Sequence, residues 1–408
     1  MSTLPTSDPT PALLGGRPLF PDGLALVKPR VGKPDRVAER VGRILASGEL
    51  TNGPYVRRFE DAACEYLGVR NCVAVSSCTA GLMLVIRAAD LTGEVVVPSF
   101  TFAATAHAVA WNGLRPIFAD IDRDTLTLSA SAVRRTIGVR TSAILATHVF
   151  GTPCDVEGLE MAAREHGLRL FFDAAHAFGS RKGSKMVGGL GDAEVFSLSP
   201  TKVLVAGEGG LIATDDDILA ERCRMGRDYG NPGDYDCRFV GLNARMSELH
   251  AAVALASFED LEERLVDRRR LADGYREALS EVPGVTFPTV PDGDRSTYKD
   301  LTILVDESVF GLGPDELAGA LAAEGIETRR YYAPPVHTMQ AYRSPAPLVG
   351  DLSVTAEVVE RVLTLPLWTG MTQEHIDLVA WAIRRSRSLG KAAPTSLAGG
   401  QTARDAGS

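Results

Sequence analysis

Long apolar runs, paired cysteines and an excess of basic residues are all missing from this 408-residue sequence. No stretch approaches the roughly 18 consecutive apolar residues of a membrane-crossing helix, so no span is expected. The opening MSTLPTSDPTPALLGG lacks a basic segment followed by an apolar one. That argues against a secretory signal and for a cytoplasmic protein. Cysteines stand at Cys64, Cys72, Cys78, Cys154, Cys223 and Cys237, with no C-x-x-C pair and no zinc spacing. Free thiols in a reducing compartment are the plain expectation. The seven histidines form no H-x-x-x-H arrangement, so no metal site is expected. A net charge of -9 argues against nucleic acid as a partner, since such binders carry a basic face.

Core-forming residues are plentiful: 45% of the chain is hydrophobic and 23% charged, an ordinary balance for a globular protein. The length exceeds what one core usually supports, so about two domains are expected. Short apolar runs, among them CVAVSS, GEVVVPS, RPIFADI, TSAILATH, LRLFFDAA, AEVFSLS and GGLIATD, read as buried strands. Helical patterns at 79–89, 105–112 and 156–166 lie between several of them. This alternation predicts a mostly parallel or mixed sheet covered on both faces. A long helical pattern from Ser247 leads to a second unit: strand YKDLTILVD, helix DELAGALAAEGI, strand-like ETRRYYAP and helix QEHIDLVAWAIRR. The expected layout is a disordered tail over 1–14, a large domain over 15–265, a small C-terminal α/β domain over 266–385 and a disordered tail over 386–408.

In such sheets ligands gather beyond the carboxyl ends of the strands. Three strand ends carry chemistry. FSLSPTKVLVAGEGG places Lys202 just after a buried strand, followed by a tight turn. Burial would lower the pKa of that amine, as a nucleophilic lysine requires. Taken alone, the commoner reading is a surface lysine after a turn. LRLFFDAAHAFGS puts Asp173 at a second strand end, and a carboxylate there meets one need of pyridoxal phosphate, an acid at the pyridinium nitrogen. His176, three residues on, could bond the cofactor's phenolic oxygen or be a satisfied core histidine. VSSCTAG runs from a strand into a helix, setting Ser77, Cys78 and Thr79 at a helix N-terminus suited to a phosphate. By itself that run is merely a good N-cap. Ser197 is a second phosphate donor in prospect.

Together these segments resemble the DegT/DnrJ/EryC1/StrS family of sugar and aminocyclitol aminotransferases, over about Leu50 to Trp368. LTNGPYVRRFEDAACEYLGV, VSSCTAGL, VPSFTFAATAHAV, FDAAHAFGS, FSLSPTKVLVAGEGG and GLNARMSELHAA carry the likeness. The resemblance implies pyridoxal phosphate as cofactor. It implies an aspartate-aminotransferase-like α/β fold (PLP fold type I), with a large mixed seven-stranded sheet domain and a smaller C-terminal α/β domain. By position it implies that Lys202 forms the Schiff base and shuttles the proton. Asp173 would pair the ring nitrogen, His176 the phenolic oxygen, and Phe102 would stack on the ring. Cys78, Thr79 and Ser197 would hold the phosphate, with Asn243 donated by the partner chain of a homodimer with shared sites. Cys78 replaces a usual glycine and Ser199 a usual histidine. Retention of lysine at 202 favours transamination over the dehydrase chemistry of relatives that carry histidine there.

Family members mostly aminate nucleotide-linked keto-sugars with L-glutamate. The PSFTFAATAHAV segment is closer to the members acting at carbon 4. The expected reaction converts dTDP-4-keto-6-deoxy-D-glucose to dTDP-4-amino-4,6-dideoxy-D-glucose. Its rivals are amination of a 3-keto-sugar or of scyllo-inosose, and a cofactor-binding regulatory module without turnover. Arg329, Arg330, Tyr331 and His337 could meet the diphosphate or base, or form a solvated basic pair beside aromatic packing.

Overall fold

The computed structural model describes residues 10–343 and 348–392. Strands β1 (Asn71–Val75), β2 (Glu94–Pro98), β3 (Arg115–Ala119), β4 (Thr141–Thr147), β5 (Arg169–Asp173), β8 (Ala193–Ser197) and β9 (Gly210–Thr214) form one mixed sheet. The hairpin β6 (Arg181–Lys182) and β7 (Lys185–Met186) stands apart from it. The order is β1-β9-β8-β5-β4-β2-β3. Only β9 runs against its neighbours. These strands are rich in Val, Ile, Leu, Ala and Phe because both sheet faces are covered. Helices Pro54–Leu67, Val156–His166 and Glu248–Phe258 pack on one face, and Cys78–Ala88, Ala104–Trp111 and Asp217–Gly226 on the other. Gly81 lets the helix Cys78–Ala88 lie close to the sheet, since a Cβ there would stand 2.7 Å from Val195.

The register aligns the chemistry. Thr147 sits opposite Asp173, and Asp173 opposite Val195, two residues before the end of β8. Val75 at the end of β1 and Ser197 at the end of β8 both pair with Gly210. Gly210 must be glycine, because a Cβ would come within 2.5–2.7 Å of the Ser77–Cys78 backbone. The turn of Glu208 to Gly210 therefore lets β9 begin against the loop that leaves β1.

A second core is built on the antiparallel strands β10 (Val285–Thr286), β11 (Leu301–Val305) and β13 (Val362–Leu365), with helices Pro314–Ala323 and Gln373–Ala392. The helix Leu261–Leu279 serves both units. Leu261 and Leu265 enter the core of the large sheet, whereas Leu271, Tyr275 and Leu279 enter the second.

The structure departs from the sequence reading in four places. The long helical pattern after Ser247 is two helices, Glu248–Phe258 and Leu261–Leu279, broken where Asp260 leaves helical geometry (φ -120°, ψ 21°). The segment expected as strand-like ETRRYYAP forms only an isolated bridge, Arg329 to Thr364. A two-residue strand from the C-terminal half, β12 (Leu348–Val349), adds parallel to β3 as an eighth member of the large sheet. The last departure concerns the ends of the chain.

Residues 10–14 were expected in a disordered tail, yet Ala12–Leu14 form a 3₁₀ turn. The reason is Glu324, whose carboxylate accepts the backbone N–H of Ala12 (2.9 Å) and of Leu19 (3.1 Å). Leu24 bridges to Ile326 and joins the second core, so this part of the presumed large domain packs with the C-terminal unit. Residues 386–392, also expected as tail, continue the last helix. Ser386 is buried and Leu389 packs on the second core. Residues 1–9 and 393–408 lie outside the described residues.

Candidate active site

A cavity of about 300 Å³ opens where β1, β5 and β8 end, closed from the other side by residues of the C-terminal half. Ser77, Cys78 and Thr79 line one wall. Ser77 caps the helix Cys78–Ala88, its hydroxyl accepting the N–H of Ala80 at 3.1 Å. The first-turn N–H groups of Cys78 and Thr79 have no carbonyl a turn earlier to bond, so this end can receive an anion. The Cys78 thiol turns onto the Val195 carbonyl (3.5 Å) and Asp173 Oδ1 (3.9 Å). Burial and the nearby Asp173 charge push the thiol's pKa well up, which keeps it neutral. The thiol in place of the usual glycine is thus absorbed by the sheet side of the turn.

Asp173 is 3% exposed. Thr105 Oγ1 donates to its Oδ2 at 2.7 Å, and the Ala175 N–H to its Oδ1 at 3.1 Å. Burial raises its pKa, and those two donors with the Lys202 charge pull the other way. Thr105 is itself 3.0 Å from Thr101, which is 3.1 Å from Thr147, so a hydroxyl chain leads to the carboxylate. Behind Asp173, the buried His148 pairs through Nε2 with Glu194 at 2.9 Å, and its Nδ1 accepts the Cys154 N–H. The His148 N–H donates to the Asp173 carbonyl at 3.1 Å, fixing the strand end.

Lys202 stands in the loop after β8, its own N–H bonded to the Ser199 carbonyl. Burial, then the charge of Lys299, lowers its amine to about 8. His176 lines the same cavity with its Nδ1 buried and without a hydrogen-bond partner among the described residues. Its Nε2 lies 3.4 Å from the Tyr332 hydroxyl, and the two rings stack. Burial depresses the His176 pKa well below its ordinary value, helped by the charges of Lys202 and Lys299. Ser197 and Ser199 line the floor, and Phe102 lines the mouth with 64% of its surface exposed.

Of the residues singled out in the sequence, Lys202, Asp173, His176, Ser77, Cys78, Thr79, Ser197, Phe102 and Tyr331 meet at this cavity. Asn243 does not line it: it is exposed and bridges Asp228 within its own chain. Arg329, Arg330 and His337 do not converge there either. Arg329 pairs with Glu327 at 2.8 Å and Arg330 with Asp315 at 2.6 Å. His337 bonds Ser99 Oγ at 2.6 Å. Arg330 and His337 instead line a separate depression of about 590 Å³, so the four residues expected to form one substrate set are divided.

Residues that the sequence reading passed over also belong to the cavity: Lys299, Asp300, Tyr332, Glu208 and Thr201. Lys299 and Asp300 carried a usable signal, since two charges directly precede the wholly buried strand β11. Thr105 carried none, being one small polar residue in a helical pattern.

The model of the DegT/DnrJ/EryC1/StrS aminotransferase family matches residues 33–384. The chain is 32% identical to the dTDP-4-amino-4,6-dideoxy-D-glucose transaminase of Escherichia coli, over 80% of this chain and 88% of that protein. It is 33% identical to the UDP-N-acetyl-3-dehydro-alpha-D-glucosamine 3-aminotransferase of Acidithiobacillus ferrooxidans, over 86% and 94%. The crystal structure of DesI in the presence of its TDP-sugar product superposes with a TM-score of 0.89 at 40% identity, covering 93% of this chain and 97% of that one.

Proposed function

This chain belongs to the DegT/DnrJ/EryC1/StrS aminotransferase family, and on that premise we propose that it aminates carbon 4 of a dTDP-linked 4-keto-6-deoxyhexose at the expense of L-glutamate. Sugar aminotransferase activity with pyridoxal phosphate is the family's chemistry. The cavity described above suits that cofactor. A buried Nδ1 of His176 awaits a partner, a carboxylate lies at a strand end, and a helix N-terminus faces the same space. When bound, pyridoxal phosphate supplies an electron sink for charge developing at the carbon beside the amino nitrogen.

The residues divide the work as follows. Lys202 Nζ would tether the cofactor and, once freed, would take up the proton from the amino donor's α-carbon and hold it for return. An amine lowered to about 8 is well matched to that shuttle near neutral pH. Asp173 keeps the proton on the ring nitrogen, and Thr105 and the Ala175 N–H hold the carboxylate in its ionised form. His176 would bond the phenolic oxygen through its Nδ1. The N–H groups of Cys78 and Thr79, with Ser77 and Ser197, would hold the phosphate, and Phe102 would cover the ring. We assign Asn243 to the neighbouring subunit's site in a homodimer. Exposed Phe102, Trp111, Tyr229 and Val240 supply apolar surface for that contact.

The dTDP-linked sugar is supported by the likeness to DesI in the presence of its TDP-sugar product, and carbon 4 by the PSFTFAATAHAV segment and the likeness to the dTDP-4-amino-4,6-dideoxy-D-glucose transaminase of Escherichia coli. A panel of dTDP- and UDP-linked 3-keto and 4-keto sugars, with glutamate and product detection by mass, tests it. The dTDP-4-keto-6-deoxyhexose should give the largest kcat/KM. Amination confined to 3-keto substrates, or to an inosose, would reject the assignment.

A further inference from the structure

Lys299 and Asp300 are consecutive residues just before β11, each 5% exposed, with Nζ 2.6 Å from Oδ1. Both line the cavity that holds Lys202. Taking such a pair out of water costs more than packing two apolar side chains there, so the pair is not explained by stability alone. The backbone beneath it is clamped. The Lys299 N–H donates to the Phe150 carbonyl at 3.0 Å, and the buried Arg268 donates to the carbonyls of Tyr298 and Lys299. The fold thus spends buried hydrogen bonds on presenting these two charges at one place.

We propose that Lys299, held by Asp300, is a positioning residue for Lys202: its ammonium disfavours a second positive charge in the cavity and so enlarges the share of Lys202 present as a free amine, ready to form a bond. This rests on the assignment of Lys202 as the lysine that tethers the cofactor. The charged and titratable groups lining the cavity with Lys202 are Asp173 at the end of β5, His176 after it, Cys78 on the helix Cys78–Ala88, Glu208 before β9, Tyr331 and Tyr332 from the C-terminal half, and the pair itself. After burial, the Lys299 charge is the largest influence lowering the Lys202 pKa, whereas Asp300, Cys78 and Asp173 oppose it. The two members of the pair therefore act on Lys202 with opposite sign.

The test uses the full chain stripped of cofactor. Lys202 is labelled with acetic anhydride across a pH series, and its modification is read by peptide mass spectrometry. Lys299→Met should move the midpoint of Lys202 labelling upward by about one pH unit, the scale set by a close charge. Asp300→Asn should move it downward, the double variant should return near wild type, and Lys299→Arg should leave it in place. Movement of both single variants in the same direction, or no movement in either, overturns the proposal. Should Lys299→Met fail to fold, Asp300→Asn decides: an unmoved or raised midpoint is the overturning result. Borohydride reduction of the loaded wild-type chain, followed by peptide mapping, checks the underlying assignment separately. Attachment at a lysine other than Lys202 would reject that assignment and leave the labelling result intact.

Discussion

Thr105→Val removes one hydroxyl and almost no volume, and it isolates what holds Asp173 ionised. Thr105 Oγ1 donates to Asp173 Oδ2 at 2.7 Å in a site where the carboxylate is 3% exposed. Losing a hydrogen bond to a buried charge costs about 1.5–3 kcal/mol. Burial already raises the Asp173 pKa, and the Thr105 bond is the largest influence opposing that rise. At about 1.4 kcal/mol per pH unit, the valine variant should raise it by roughly one to two units more. In the proposed role the carboxylate must leave the proton on the ring nitrogen, and a more basic Asp173 claims it instead. The kcat should fall between about ten- and a hundredfold, as the same energy implies for a barrier. Cofactor retention should change far less, because the phosphate end is untouched. Steady-state kinetics against pH, beside equilibrium dialysis of the cofactor, measures both, and Thr105→Ser should restore most of the loss. Valine-variant kinetics equal to wild type across the pH range would refute this account of Asp173.

Asp173→Asn should cost more activity than Thr105→Val and again spare cofactor binding; a near wild-type kcat at saturating cofactor would assign the acid elsewhere. The same variant carries a stability prediction. The folded pKa of Asp173 lies above its ordinary 3.8, so its contribution is fully present below that pH and is lost as pH rises through the raised value. The cofactor-free asparagine variant should therefore unfold at a higher temperature than wild type at pH 7, as scanning calorimetry would register. Glu248 accepts the N–H groups of Tyr55 and Val56, both at 2.8 Å, at the start of the helix Pro54–Leu67. Glu248→Ala should destabilise the chain by roughly 2–4 kcal/mol in urea unfolding, the Val56 donor being left buried and the Tyr55 donor partly so; a loss below experimental error would contradict it. Inactive Lys202→Ala chains co-refolded with inactive Asn243→Asp chains should regain part of the activity, since half the sites of each heterodimer carry neither lesion. No recovery in verified heterodimers would reject the shared site.

The sequence alone determined the parts of this protein that are local. Strand ends are written in runs such as LRLFFD and AEVFSLS, and the residues that follow them have little freedom in where to point. Asp173, which closes β5, and the Ser77–Thr79 turn, which begins two residues past β1, could therefore be named from the apolar pattern, whereas Lys202, five residues past β8, was singled out only in company with them. The mixed sheet followed from the same alternation. The tertiary structure decided what depends on packing between distant segments. Lys299, Asp300 and Tyr332 reach the cavity only because the second core docks on the first, through contacts such as Phe150 with Tyr332. Arg329, Arg330 and His337 share a motif with Tyr331, yet they leave it for partners at Glu327, Asp315 and Ser99. Glu324 ties down Ala12 and Leu19 across some three hundred residues, overriding a composition that reads as disorder. The physical reason is common to all of these. Periodicity reports which face of an element is buried, but a buried charge finds its partner wherever the packed cores bring one within about 3 Å, and that distance is set by the fold as a whole.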